Sequence, residues 1–314
     1  MHQPETVTSF GELLIDRFST QKPDGTEQVL DAFGGAPANT ALGLAKLDIS
    51  VNFIGKIGND SAGSFLQQIL KQHHVDIEGL VVSDTEPTTV AFVALTAKGE
   101  RSFTFQKGAH ATIQPDEVSL PPDTAIFHFG SLTQIDASAA STTEKLLFQA
   151  REVGALVSYD PNVREALWKD LARARQIILE TAKKVDMLKV NEEEALLLAQ
   201  TETIEEAANA LFTPNLQLLL ITLAERGCYY KTAEFEGIIP ALAVNVVDTT
   251  GAGDAFNAGV IAGIYRAGKK PQHLSQQELE DILRRAVVIG SLTTTKKGAI
   301  TAFPTIQEIE THLS

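Results

Sequence analysis

Apolar runs of strand length alternate with amphipathic stretches of helical period along most of the chain. Residues 51–55, 125–130, 155–160, 186–190 and 216–223 are apolar at nearly every position, the pattern of strands buried on both faces of a parallel sheet. Helical periodicity follows at about 61–73, 138–153, 171–184, 192–200, 204–212, 252–267 and 275–295. This repetition predicts an α/β fold in three layers, a mostly parallel central sheet with helices on both faces. Two segments break it. Residues 27–33 lie between polar stretches, and 88–97 are joined to 101–107 by Lys98-Gly99-Glu100, a short hairpin turn. Such antiparallel pieces predict a small β-sheet, formed from about 17–33 and 88–107, that stands off the main body as a lid. No internal repeat, low-complexity tract or linker rich in Pro, Gly or Ser interrupts the chain, so residues 1–314 are expected to form a single domain.

The 314 residues are 44% hydrophobic and 21% charged, the balance of a water-soluble globular protein. A net charge of −14 argues against nucleic acid or an anionic membrane as partner. A polyphosphate ligand would therefore need a local positive site, built from backbone N–H groups, helix N-termini or a metal. The single cysteine, Cys228, excludes an intrachain disulfide and points to a reducing compartment. Met1-His2-Gln3-Pro4-Glu5 lacks the basic and apolar parts of a signal peptide, and no apolar stretch is long enough to span a bilayer. These features predict a cytoplasmic protein.

The strongest chemical signal is Asp248-Thr249-Thr250-Gly251-Ala252-Gly253-Asp254-Ala255-Phe256 at the start of a helix. Small residues at 251–253 allow close approach of a ligand, and the N–H groups of the helix start suit the charge on a phosphoryl group. Asp254 follows in the first turn, where a carboxylate can take a proton from an attacking hydroxyl. A plain glycine turn before an acidic helix start would look similar over four residues, but not over nine. No Walker or protein-kinase glycine loop is present, and the seven histidines show no metalloprotease spacing.

Asp248 to Phe256 resembles the C-terminal signature of the PfkB, or ribokinase-like, carbohydrate kinases. Gly34-Gly35-Ala36-Pro37-Ala38-Asn39 and Gly55-Lys56-Ile57-Gly58-Asn59-Asp60 are similar to the N-terminal signature of that family. The resemblance runs from Gly11-Glu12-Leu13-Leu14-Ile15-Asp16 to Lys297-Gly298-Ala299 and Pro304, nearly the whole chain. It implies a ribokinase-like fold and transfer of phosphate from ATP to a sugar primary hydroxyl, with Asp254 as base and Gly251, Ala252 and Gly253 as anion cradle. Asp16, taken to end an apolar strand, would bind sugar together with Gly34, Gly35, Asn39 and Lys107. Lys56 and Asp60 match polar signature positions. Asn191 and Glu194 resemble the Asn-x-x-Glu motif that holds Mg2+ through water near the nucleotide; without the family, the pair would be a helix cap. Thr222, Ala224 and Gly227 occupy the nucleotide-binding turn, with alanine at 224 where the family has glycine. Asp248, Thr250, Thr293, Lys296 and Gly298 match the loops that bind a monovalent cation, K+, although Ala302 lacks the usual side-chain oxygen.

Three segments resemble the fructokinase branch: residues 11–16, Ile126-Phe127-His128-Phe129-Gly130-Ser131, and Tyr159-Asp160-Pro161-Asn162-Val163-Arg164 followed by Leu167-Trp168. Asp160 and Arg164 leave the sheet at its carboxyl edge, where open α/β sheets bind ligands, and count as sugar-site candidates. Lys107 and His110 stand where that branch carries arginine and aspartate. The expected reaction is fructose to fructose 6-phosphate. A 2-keto-3-deoxygluconate or ribose kinase, a nucleoside kinase and a non-catalytic sugar-binding relative remain as alternatives. Sugar and ATP are the expected partners, and a homodimer through the lid and a monomer both fit.

Overall fold

The computed structural model describes residues 6–21, 27–95 and 101–313. Its elements begin with β1 (Thr6–Phe10), β2 (Leu14–Gln21), β3 (Glu27–Gly34), α1 (Ala36–Lys46), β4 (Val51–Gly58), α2 (Ser61–Gln72) and β5 (Leu80–Ser83). They continue with β6 (Val90–Leu95), β7 (Arg101–Gln106), β8 (Thr124–Gly130), α3 (Ala137–Glu152), β9 (Leu156–Asp160), α4 (Leu171–Ala182), β10 (Met187–Asn191) and α5 (Glu192–Ala199). The chain ends with α6 (Ile204–Leu211), β11 (Leu218–Thr222), β12 (Cys228–Lys231), β13 (Glu236–Ile239), α7 (Ala252–Ala267), α8 (Gln276–Thr293) and α9 (Ile306–Thr311).

Among the described residues, nine strands form the main sheet in the order β13-β12-β11-β10-β9-β8-β1-β4-β5. All neighbours are parallel except at one edge, where β12 and β13 turn back antiparallel. Strand alternation splits the apolar residues between two cores. Leu218 and Leu220 pack on the side of α1, α2, α7 and α8, whereas Leu219 and Ile221 pack on the side of α3 to α6. That double burial is why such strands read as unbroken apolar runs. On the α3 side an aromatic row crosses the sheet, with Phe127 to Phe129 ring centroids at 5.4 Å and Phe129 to Tyr159 at 4.7 Å. On the α1 and α7 side the corresponding positions are polar: His128 Nδ1 lies 3.1 Å from Ser158 Oγ, and Ser9 donates to the Pro37 carbonyl at 2.8 Å. The α1 and α7 face thus sets a polar patch at Ser9, His128 and Ser158 beside apolar positions such as Ile126 and Leu156.

A second, four-stranded sheet in the order β3-β2-β6-β7 stands off the first. β2 pairs antiparallel with β3 but parallel with β6, so this sheet is mixed rather than purely antiparallel. Both strands leave the main body in the same direction, which enforces the parallel pairing. Ile15, Phe33 and Val90 are buried in the main core and root the small sheet. A second root is polar: Asp60, the N-cap of α2, accepts from Thr88 N at 2.8 Å and Thr88 Oγ1 at 2.7 Å, just before β6. The turn expected at Lys98-Gly99-Glu100, residues 22–26 of the expected lid and the N-terminal Met1 to Glu5 lie outside the described residues. Asp16 does not end an apolar strand. β1 ends at Phe10, and Asp16 is the third residue of β2, inside the small sheet.

Candidate active site

The loop before α7 is folded by one carboxylate. Asp248 Oδ1 accepts from Thr250 N at 2.9 Å and Thr250 Oγ1 at 2.7 Å, and Oδ2 accepts from Gly298 N at 3.0 Å, stitching this loop to the segment after α8. Gly251 caps α7 at φ 76°, and a Cβ there would lie 2.5 Å from Ala299 Cβ, so both conformation and space require glycine. Beyond it the first-turn N–H groups of a 16-residue helix have no carbonyl four residues back to bond, Ala252 N reaching only Thr249 O at 3.3 Å, so this end is electropositive. Asp254 sits in that turn.

Asn39, on α1, donates from Nδ2 to Asp254 Oδ2 at 2.8 Å across 215 positions of sequence. Burial raises the Asp254 pKa to about 6; Asn39 and the charges of Lys189 and Arg164 pull it down, and Asp160 pushes it up. α1 itself starts in an unusual way. Gly35 caps it at φ 108°, where a Cβ would lie 2.2 Å from the Glu12 carbonyl oxygen. Glycine has no side chain to bond the orphan helix N–H groups, and Glu12 supplies one from the loop before β2: its Oε1 accepts from Ala36 N at 3.0 Å. Asp16 lies over the same turn, with Oδ2 2.5 Å from where a Gly34 Cβ would be. The structure thus brings Asp16, Gly34, Gly35, Asn39 and Asp254 together from β2, β3, α1 and α7. Asn39 Oδ1 and Glu12 Oε2 are buried acceptors with no hydrogen-bond partner among the described residues.

At the carboxyl edge of β9 to β11, Asn191 caps α5, accepting from Glu194 N at 2.8 Å while Glu194 Oε2 accepts from Asn191 N at 2.9 Å. Glu194 Oε1 accepts from Val163 N at 2.6 Å, and burial, followed by the Asp160 charge, raises its pKa. Thr222 is the cross-strand partner of Asn191. Ala224 adopts φ 50° and Gly227 φ 100°, so the alanine found where the family has glycine does take the backbone conformation that favours glycine. Arg164 donates to Asn162 Oδ1 at 2.6 Å, and its charge lowers the pKa values of both Glu12 and Asp254.

Several expected site residues are placed differently. Asp160 is 3% exposed, and its carboxylate is taken up by Lys189 Nζ at 2.9 Å, Asn257 Nδ2 at 2.6 Å and Asn162 N at 3.1 Å. It braces β9, β10 and α7 beneath the site. Lys107 reaches both oxygens of Asp136, the N-cap of α3, at 2.8 Å, which ties the small sheet to the body. His110 is buried against Thr89, Nδ1 to Oγ1 2.5 Å, and burial lowers its pKa to about 4, so it is neutral. Lys56 pairs with Glu117 at 2.6 Å. Thr293 Oγ1 donates to its own helix at Ile289 O, and Lys296 pairs with Glu308 at 2.8 Å, so neither side chain turns to Asp248. Glu12, Lys189 and Asn257 belong to the site although sequence reasoning passed over them. The available signal was a charge inside the apolar strand Met187-Leu188-Lys189-Val190 and a polar residue one turn after Asp254.

Among the described residues no three His, Cys, Asp or Glu side chains converge to hold a metal directly, and no helix is long and apolar enough to cross a membrane. The family model for pfkB family carbohydrate kinases matches residues 4–306. A probable fructokinase-2 of Arabidopsis thaliana is 40% identical over 309 residues, 95% of this chain and 93% of that protein. A Xylella fastidiosa fructokinase with bound ATP superposes with a TM-score of 0.90 at 31% identity, covering 98% of both chains. A double-mutant fructokinase of Vibrio cholerae O395 with fructose, ADP and potassium bound superposes with a TM-score of 0.90 at 29% identity over the full length of both.

Proposed function

Since the chain belongs to the pfkB family of carbohydrate kinases, with its ribokinase-like fold, we propose that it transfers the γ-phosphoryl group of ATP to the primary hydroxyl of fructose, giving fructose 6-phosphate. The observation that carries the chemistry is the Asn39–Asp254 pair at the N-terminus of α7. Asn39 engages one oxygen of the carboxylate and leaves the other to take the hydroxyl proton. A pKa of about 6 keeps Asp254 ionised at neutral pH while making it a stronger base than an ordinary aspartate. Asn39 Oδ1, a buried acceptor with no partner among the described residues, suits a sugar hydroxyl donor. Asp16, Gly34 and Gly35 complete the sugar side, with Arg164 at its rim. Gly251, Ala252 and Gly253 present backbone N–H groups to the transferred phosphoryl group, so catalysis is mainly positioning and charge stabilisation.

Thr222, Ala224 and Gly227 line the nucleotide edge beside Asn191. Glu194 would hold a magnesium ion through water, each of its oxygens keeping a lone pair beyond its bond to a backbone N–H. Bound with ATP, Mg2+ would neutralise charge on the phosphates. Asp248, Thr250 and Gly298 fit a potassium site, to which Thr293 and Lys296 can add only backbone carbonyls. Val29 and Leu30 on β3 are half exposed, which supports a homodimer formed through the small sheet; the mass in solution tests this. The lone buried Cys228 supports a reducing, cytoplasmic location.

The deciding experiment is a coupled ADP-release assay with MgATP, with and without K+, over fructose, ribose, 2-keto-3-deoxygluconate, tagatose, glucose and adenosine. Efficient turnover with fructose alone is the expected result. Preference for another acceptor would keep the mechanism and move the substrate, and silence across the panel with sugar binding intact would point to a non-catalytic relative.

A further inference from the structure

Lys189 lies in β10 between Leu188 and Val190, both packed in the core on the α3 side, so its own side chain points to the opposite face, beneath α7. It is 8% exposed. Its Nζ donates to Asp160 Oδ2, and Asn257 Nδ2 donates to that same oxygen from one turn beyond Asp254. One carboxylate, Asp160 on β9, therefore ties Lys189 on β10 and Asn257 on α7 together at the carboxyl edge of the sheet. Gly253 stands over it: a Cβ built there would lie 3.1 Å from Lys189 Nζ. The last small residue of the cradle is thus in near contact with a buried ammonium.

The surrounding charges show why a cation is needed. Asp160 on β9, Glu194 on α5 and Asp254 on α7 all face Lys189, and the buried His128 on β8 and Cys228 on β12 also lie within its field. Asp254 also feels the charge of Arg164, and Glu12 feels both Arg164 and Asp254. Three carboxylates at the place where a polyphosphate must settle would repel it.

We propose that Lys189 is the positioning cation of phosphoryl transfer, holding α7 in place through Asp160 and Asn257 and presenting positive charge to the transferred group from beneath Gly253. The inference rests on the kinase reading, and the wild-type enzyme separates the two: a wild type that phosphorylates no sugar sinks the kinase reading, whereas the inference is read only from variants of an active wild type. Lys189→Met is expected to lower kcat by roughly 10-fold or more, on the scale of losing an electrostatic contact in the active site, with the fructose KM within about 3-fold of wild type. The acid limb of its kcat–pH profile should move to higher pH, because Asp254 loses a neighbour that favours its charged form. Lone removal of Lys189 leaves Asp160 buried without its cation and can unfold the chain, so the Asp160→Asn/Lys189→Met pair is measured alongside. The double variant should fold and keep the kcat defect. Wild-type kcat in the double variant would show that Lys189 only neutralises Asp160 and overturn the proposal. Unchanged kcat and an unmoved acid limb in a folded Lys189→Met protein would do the same.

Discussion

In its proposed role as base Asp254 must be ionised, and burial raises its pKa to about 6, just below neutral pH. The kcat–pH profile should therefore lose its acid side around pH 6, as protons return to a carboxyl whose pKa is raised. Asp254→Asn should bind sugar normally by calorimetry and lose well over ~100-fold in kcat, the scale of general-base removal. Near-normal turnover would take the base role from this residue. The residues legible in sequence were those whose identity is forced by backbone or cradle: Gly35, Gly251 and the small run ending at Asp254. Lys189 and Glu12 were not, because a buried charge is explained only by its partners, and those partners are distant in sequence. Asp160 and Lys107 stood out by motif position alone, and their protein partners, Lys189 and Asp136, each lie 29 residues away in sequence.

Elements were legible to within a few residues wherever the apolar period was strong, as in α7 (Ala252–Ala267) and β8 (Thr124–Gly130). Short pieces were not. β5, β12, β13 and α9 span four to six residues each, too few to display a period, and their state is set by the neighbour each one pairs with or packs on. The parallel pairing of β2 with β6 was equally hidden, since pairing direction depends on where both strands leave the body. Asp60 shows how an element boundary serves that arrangement. It caps α2 through Gly63 N at 2.7 Å and holds Thr88 at the root of β6. Asp60→Ala should cost about 2 kcal/mol in urea unfolding, a lost cap plus lost bonds to Thr88. It should also raise the sugar KM more than the ATP KM, because the loosened root belongs to the small sheet; equal rises in both would contradict that assignment.

Across the whole molecule, buried titratable groups oppose one another. Burial holds His110 and His128 neutral down to about pH 4, so stability falls as pH drops from 6.5 toward 4 and the unfolded chain takes up protons that the folded chain refuses. Glu12 and Asp254 act with the opposite sign. Their folded pKa values are raised to about 7 and about 6, so stability is lost as pH rises and the unfolded chain releases protons that the folded chain keeps. The two effects offset between about pH 4.5 and 6.5, and Glu12 alone continues to erode stability up to about 7. Glu12→Gln should therefore gain on wild type as pH rises, by up to about 3 kcal/mol between pH 5 and 7.5. Calorimetric Tm differences at those two pH values test this; equal differences would mean that Glu12 ionises normally in the folded protein.

Burial of the single thiol has a practical consequence. Cys228 is enclosed in β12 and burial pushes its pKa up to about 12, so at neutral pH the thiol stays protonated and unreactive. A maleimide dye would pass over the native chain and label only a cysteine introduced by design. Placed at Val29, half exposed on the small sheet, such a cysteine would carry a fluorophore at one defined point without first stripping the protein of other thiols. Any movement of that sheet when sugar and nucleotide are added could then be followed by stopped-flow fluorescence.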